Sequence, residues 1–118
     1  AYGLPAGLMN PHEDPMDAAL RELAEETGIV PDTATMSVEH VGDFYSSEGM
    51  TDELAHIMVL HLRGFRMVPR HLDADEHVAC AWASWHELEN TRITASNSVI
   101  AIQHEMLRRV SSEKRRNR

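Results

Sequence analysis

The sequence predicts one domain of the α/β or α+β class, and three observations support this prediction. The chain has 118 residues, an ordinary length for a single domain. Its composition, 42% hydrophobic and 25% charged residues, is typical of a globular protein. Segments with apolar residues at helical spacing alternate with short apolar runs that are typical of strands. We expect the domain to cover residues 1–110 and the basic stretch 111–118 to be a disordered tail.

The first helix is predicted to begin after Asp14 and to end at Gly28. Asp14 is a favourable N-cap residue, and Pro15 suits the first helical position. Glycine is the usual residue just beyond a helix C-terminus. Between these ends, five residues at helical spacing form one largely apolar stripe: Met16, Ala19, Leu20, Leu23 and Thr27. We expect this stripe to pack against a sheet.

Three strands and a C-terminal helix are predicted after the first helix. The strands are expected at residues 37–44, 55–62 and 78–85, and the run AHIMVLHL at 55–62 is apolar enough for burial on both faces. A helix over residues 96–110 is predicted from four apolar residues at helical spacing, Val99, Ile102, Met106 and Val110. Three strands make a thin sheet, so we expect N-terminal strands outside this sequence to complete it.

The charge balance argues against nucleic acid and membranes as partners. The chain has 11 Lys and Arg against 19 Asp and Glu, a formal net charge of −8. Such a surface repels a phosphate backbone, so binding of an anionic substrate calls for a bridging cation. No apolar run approaches the roughly 18 residues of a membrane span. The one cysteine, Cys80, allows no internal disulfide, and we expect a cytoplasmic protein.

Three glutamates are crowded on the first predicted helix within the sequence RELAEE. Glu22 and Glu26 are one helical turn apart on the same face, and Glu25 flanks that face. A like-charge pair at this spacing costs about 0.2–0.5 kcal/mol when exposed, and shielding by the apolar stripe raises the cost. A hard divalent cation such as Mg²⁺ or Mn²⁺, which prefers carboxylate and carbonyl oxygens, reverses the sign. By itself, the cluster also fits a solvated face of good helix formers.

The spacing around this cluster resembles the Nudix box over 23 residues. Every defined position of that motif is matched, by Gly7, Glu13, Arg21, Glu22, Leu23, Glu25, Glu26, Gly28 and Ile29. The chain therefore resembles the Nudix hydrolase family. The resemblance implies an α/β fold, the Nudix α/β/α sandwich with a mixed sheet, here lacking its N-terminal strands. Members of the family use a divalent metal and water to cut a diphosphate linked to another moiety.

The resemblance also implies a role for each residue of the box. Glu22 and Glu26 are expected to ligate Mg²⁺ or Mn²⁺ directly, together with the carbonyl of Ala6. Glu25 is expected to ligate or support a further ion, and Arg21 to assist catalysis by orienting the carboxylates through charge-assisted hydrogen bonds. Three positions are expected to be structural, namely Gly7, Glu13 and Gly28.

Two further segments resemble the ADP-ribose pyrophosphatase branch of the family. The sequence LPAG at residues 4–7 is similar to the entry of the box in that branch. The sequence SSEGMTDE at 46–53 is similar to a downstream segment of the branch, although Glu48 replaces the expected proline and Met50 the usual aromatic residue. Tyr45 is instead a hint of diadenosine polyphosphate hydrolases.

The catalytic base is expected in an acidic loop. The sequence LDADEHVACAW at 72–82 resembles the loop and following strand that supply the base in the ADP-ribose branch. Glu76 is the first candidate for the base and Asp75 the second. Glu53 is expected to reach the metal site or bind the ribose, or alternatively to cap the following strand.

The resemblance therefore predicts hydrolysis of a nucleoside diphosphate linked to a sugar. ADP-ribose is the leading candidate, with AMP and ribose 5-phosphate as products, and a homodimer is expected. The alternatives are another nucleotide sugar, a dinucleoside polyphosphate or a nucleoside triphosphate. A Nudix module that binds a nucleotide without cutting it is a further alternative, although such modules usually lose glutamates that this chain keeps.

The remaining reactive side chains are expected to be structural. The eight histidines are scattered, and none pairs with Cys80 at zinc spacing, so no structural zinc site is expected. His56 is expected to be a packing or polar-face residue of its strand. Cys80 is expected to be a buried thiol, and Trp82 and Trp85 to be core residues.

Overall fold

The computed structural model describes residues 3–45, 54–72, 79–93 and 95–116, which contain three helices and four strands. In chain order these elements are α1 (Pro15–Thr27), β1 (Ile29–Pro31), β2 (Ser37–Tyr45), β3 (Leu54–His61), β4 (Phe65–Met67), α2 (Trp85–Glu89) and α3 (Ser96–Arg116). The strands form two pairs, β1 with β4 and β2 with β3. The mixed α and β character predicted from the sequence is confirmed.

The chain divides into two compact units. One comprises Leu4–Ser37 and His61–Arg92, and the other comprises Ala1–Gly3, Val38–Leu60 and Ile93–Arg118. The first unit contains α1, β1, β4 and α2, and the second contains most of β2 and β3 together with α3.

Helix α1 has the ends that the sequence predicts. The Asp14 side chain accepts a hydrogen bond from the Met16 N–H at 3.0 Å, so it caps the first turn. At the other end, Gly28 adopts a left-handed conformation with φ of 79°, and its N–H donates to the Ala24 carbonyl at 2.9 Å. A Cβ at Gly28 would collide with the Val68 carbonyl oxygen, so both conformation and space require glycine here.

Strands β1 and β4 form an antiparallel pair against which α1 packs. Their register pairs Ile29 with Met67 and Pro31 with Phe65. The core of this unit is small, and its buried apolar side chains include Ala18, which is 5% exposed, and Ile29. The predicted stripe on α1 is half-buried rather than fully buried. Neither strand is predicted from the sequence, because three residues are too few to show an alternating pattern.

In the second unit, β2 and β3 are neighbours in a two-stranded sheet. Their bounds agree within one residue with the predicted strands 37–44 and 55–62. Ile57 of β3 is 7% exposed, and the residues on either side of it are half-buried. Helix α3 begins at Ser96 as predicted and buries Ser98, Ala101 and Glu105.

The prediction of a third strand at residues 78–85 is wrong. Residues 79–84 have no regular secondary structure, and α2 begins at Trp85. The sequence contains the reason, a capping box in which Ser84 and Glu87 exchange side-chain and backbone hydrogen bonds at the start of the helix. The buried positions expected for Cys80 and Trp82 are also wrong, because both are exposed and Trp82 keeps 72% of its surface accessible. The alanines around them offer too little apolar area to bury a strand.

Helix α3 continues to Arg116, beyond the predicted end at residue 110. Residues 111–116 are thus helical, which differs from the disordered tail expected from residue 111. The last turn carries Lys114, Arg115 and Arg116, and positive charge at a helix C-terminus interacts favourably with the helix dipole. Within the parts of the chain that the structure describes, no helix combines the length and the apolar character needed to cross a membrane.

Candidate active site

A cleft of about 350 Å³ lies beside α1. It is lined by seven residues of one compact unit: Leu8, Asn10, Arg21, Glu22, Glu25, Glu26 and His71. The three crowded glutamates and Arg21, singled out from the sequence, thus share one cleft. Asn10 and His71 were not predicted as site residues, because no sequence pattern marks them.

Arg21 is the centre of the hydrogen-bond network in the cleft. Its Nε donates to Glu13 Oε2 at 2.9 Å, and its Nη1 donates to Glu22 Oε1 at 2.8 Å and to Glu25 Oε2 at 3.2 Å. Its Nη2 donates to Glu13 Oε1 at 3.0 Å and to the Leu8 carbonyl at 2.8 Å. These five bonds match the five N–H groups of a guanidinium, so Arg21 is held in one position and fixes its partners.

Arg21 and Glu13 form a bidentate ion pair. The pKa of Glu13 is lowered chiefly by the hydrogen bonds that Glu13 accepts from Arg21. The Asn10 N–H, which donates to Glu13 Oε1 at 2.9 Å, makes a smaller contribution. The pKa of Arg21 is raised, chiefly by Glu13 and then by Glu22, against the opposing effect of burial. Arg21 therefore stays positively charged and offsets the repulsion among the clustered carboxylates.

The loop before α1 passes close to two of the carboxylates. The Ala6 N–H donates to Glu26 Oε2 at 3.0 Å. At Gly7, an added Cβ would overlap the Glu22 carboxylate group. The backbone therefore approaches the cluster at a point where any side chain would displace a glutamate, which explains the glycine of the motif.

The carbonyls at the C-terminal end of α1 are satisfied by a segment that follows β4. The His71 N–H donates to the Glu25 carbonyl at 2.9 Å, and Arg70 Nε donates to the Glu26 carbonyl at 2.6 Å. Cys80 Sγ also lies 3.2 Å from the Glu26 carbonyl. These contacts fix the last turn of α1, where two of the three glutamates are located, and they bring His71 to the cleft.

The donor set of the cleft fits a hard divalent cation. Glu22, Glu25 and Glu26 line it, and carboxylate oxygens are ligands that Mg²⁺ and Mn²⁺ prefer. Among the described residues, the hydrogen bonds of Glu22 and Glu25 each use one carboxylate oxygen, which leaves the second oxygen for an ion. The three carboxylates line the cleft without converging into a tight ligand set, so ion binding would draw them together.

Three further residues from the sequence analysis lie outside the described residues. These are Glu76 and Asp75, the candidates for the catalytic base, and Glu53. The segment 46–53, which resembles part of the ADP-ribose branch, lies outside as well. Their roles stay predictions.

The site is thus a cluster of three glutamates on one helix, where Arg21 holds two of them and a glycine loop approaches closely. Comparison with known proteins gives the family. The family model described as the NUDIX domain matches residues 1–102, so the chain belongs to the NUDIX family. The resemblance to the Nudix family found in the sequence and the α/β fold class of that family are confirmed.

The chain is similar to two relatives whose names give different roles. It is 30% identical over 109 residues to an ADP-ribose pyrophosphatase of Bacillus subtilis (strain 168). The matched region covers 89% of this chain and 57% of that protein. It is 33% identical over 115 residues to a methanol dehydrogenase activator of Bacillus methanolicus, with 94% and 60% covered. The chain thus spans less than two thirds of the length of either relative.

Proposed function

We propose that this chain hydrolyses the diphosphate bond of a nucleoside diphosphate linked to another moiety, with the help of Mg²⁺ or Mn²⁺. The observation that supports this most strongly is the cleft that Glu22, Glu25 and Glu26 line together with Arg21. An acidic chain with a net charge of −8 repels a free diphosphate, and carboxylates that hold a cation overcome this repulsion.

Glu22, Glu26 and the carbonyl of Ala6 would hold the ion, and Glu25 would ligate or support a further one. A bound divalent ion supplies positive charge to the diphosphate and makes a bound water more acidic. The proximity of the Ala6 backbone to Glu26, with 3.0 Å between the Ala6 nitrogen and Glu26 Oε2, supports a shared role for these two residues. Glu76 is proposed as the base that takes the proton of the attacking water, with Asp75 and Glu53 as alternatives.

Arg21 is proposed to act by positioning. It holds Glu22 and Glu25 through Nη1 and is itself held by Glu13 through two hydrogen bonds. These contacts hold one oxygen each of Glu22 and Glu25 before an ion arrives, so less side-chain freedom is lost when the carboxylates move together to bind it. The same contacts explain why Glu13 belongs to the motif although it does not line the cleft.

ADP-ribose is proposed as the substrate, with AMP and ribose 5-phosphate as products. The similarity of residues 4–7 and 72–82 to the ADP-ribose branch supports this choice, as does the relative named as an ADP-ribose pyrophosphatase. The other relative is named for a different role, so other nucleotide sugars, dinucleoside polyphosphates and nucleoside triphosphates belong in the test. A homodimer and a cytoplasmic location are proposed from the resemblance and from the single cysteine.

The test is a substrate panel with Mg²⁺, in which products are separated by anion-exchange chromatography. We expect ADP-ribose to give AMP and ribose 5-phosphate, and we expect EDTA to abolish turnover. Glu26→Gln should lower kcat by orders of magnitude while the far-ultraviolet circular dichroism is unchanged. Glu113→Gln, a matched change on the exposed end of α3, should leave kcat unchanged. If another diphosphate is cut and ADP-ribose is not, the substrate is wrong; if nothing is cut, the hydrolase proposal is wrong.

A further inference from the structure

A second group of metal-binding side chains lies on the pair of strands β2 and β3. His40 and Asp43 belong to β2, and His56 belongs to β3. His40 Nε2 lies 2.8 Å from Asp43 Oδ1, and His56 Nδ1 lies 2.6 Å from the same oxygen. One ligand atom from each residue lies within 4.8 Å of the other two. None of the three residues lines the glutamate cleft.

We propose that His40, Asp43 and His56 form a binding site for a divalent transition-metal ion of the Zn²⁺ class. Two imidazoles and one carboxylate are a donor set that suits Zn²⁺, whereas Mg²⁺ prefers oxygen ligands throughout. Three protein ligands complete all but one position of a tetrahedral ion and leave the fourth to water. This site selects a different ion from the all-oxygen glutamate cleft, and it does not depend on the function proposed above.

The geometry requires only a small adjustment to admit the ion. Tetrahedral Zn²⁺ with bonds of about 2.0–2.2 Å places neighbouring ligand atoms about 3.3 Å apart. The separations of 2.6 and 2.8 Å between Asp43 Oδ1 and the two imidazole nitrogens therefore have to widen by about 0.7 and about 0.5 Å. The side chains of His40 and Asp43 are 53% and 39% exposed, so they have room to rotate and the ion has a path of entry. His56, at 24% exposed, is the most buried of the three.

Such an ion would link the two strands. His56 and Asp43 are 13 residues apart in the chain and lie on different strands, so a shared ion adds a cross-link to the pair. An ion that binds the folded chain and not the unfolded chain raises the apparent stability, because it shifts the folding equilibrium. The expected consequence is a rise in Tm with Zn²⁺ concentration. A purely hydrogen-bonded clamp of the same three residues predicts no such rise.

The experiment measures Zn²⁺ binding to the full 118-residue chain by isothermal titration calorimetry. Mg²⁺ is present in excess to compete with Zn²⁺ for the glutamate cleft, and any Zn²⁺ binding that is unchanged in the two cluster variants is assigned to other sites. The chain is compared with His40→Gln, His56→Gln and a control, His86→Gln, which replaces an exposed histidine on α2. We expect one Zn²⁺ per chain in the unaltered protein and in the control. In the two cluster variants we expect binding weaker by at least about tenfold, since loss of even an outer-shell partner costs that much.

Equal affinity in all four proteins, or no Zn²⁺ binding to the unaltered chain, would overturn the proposal. Circular dichroism reports whether the variants are folded, and an NMR measurement on the unaltered chain gives an answer that does not depend on them. Imidazole ¹⁵N signals of His40 and His56 should shift on addition of one equivalent of Zn²⁺, and those of His86 should not. Shifts confined to other histidines would also overturn the proposal.

Discussion

Replacing Gly7 with alanine tests whether the backbone approach at the cleft is required for ion binding. An added Cβ overlaps the Glu22 carboxylate group, which has to swing away. Its 2.8 Å hydrogen bond to Arg21 Nη1 is then broken, and the proposed ion loses one ligand. Displacement of a ligand or positioning group by about 1 Å costs on the order of 10²-fold in rate. Because the group that moves is the end of a flexible side chain, we expect the fold to persist.

The assay for Gly7→Ala is kcat with the best substrate of the panel, together with the Mn²⁺ affinity measured by electron paramagnetic resonance. The control is Gly3→Ala, whose Cβ meets Ser98 Oγ at an ordinary 3.6 Å and should change neither quantity. We expect a loss of about 10²-fold in kcat and weaker Mn²⁺ binding in Gly7→Ala only. If both variants keep full activity and full Mn²⁺ affinity, Glu22 is not a ligand whose position matters, and the reasoning about this cleft fails.

Three further predictions follow from the same structure. In a urea titration, Gly28→Ala should lower the free energy of unfolding by more than about 2 kcal/mol, because the left-handed conformation alone costs about 1–2 kcal/mol and the Cβ also meets a carbonyl oxygen. Gly64→Ala, whose Cβ makes ordinary contacts, should change the free energy of unfolding by no more than about 0.5 kcal/mol. The pKa of Glu13 is lowered from 4.5, chiefly by Arg21, so ionised Glu13 stabilises the fold fully above pH 4.5. This stabilisation is lost as the pH falls below 4.5 and through the folded pKa. A plot of Tm against pH should show this loss, and the loss should be absent in Glu13→Gln. Glu76→Gln should lower kcat far more than it changes KM, and an unchanged kcat would move the base to another carboxylate.

The parts of the site that the sequence predicts are those fixed by one helix. Glu22, Glu25 and Glu26 fall on neighbouring positions of α1 because a helix has a fixed period, and the caps at Asp14 and Gly28 set where that helix begins and ends. No knowledge of the rest of the chain is needed to place these carboxylates side by side. The same local signals explain why the predicted bounds of α1 were confirmed.

The parts that the sequence does not predict depend on contacts between distant segments. His71 and Arg70 reach the end of α1 across more than 40 residues of chain, and nothing in their local pattern marks them as capping residues. The third predicted strand failed for a different, local reason. Its alternating small residues fit a strand, but Ser84 and Glu87 form a stronger local signal for a helix start.

The two proposed metal sites differ in the same way. The glutamate cleft is visible as spacing along one helix, whereas His40, Asp43 and His56 meet only because β2 and β3 are neighbours. A search for zinc ligands by spacing along the chain therefore finds no site among the scattered histidines, although two of them share one carboxylate oxygen. Strand pairing brings His56 Nδ1 to 2.6 Å from Asp43 Oδ1, although the two residues are 13 positions apart in the chain. That pairing is set by the packing of the whole unit. The zinc titration thus tests a property of the fold that no local motif contains.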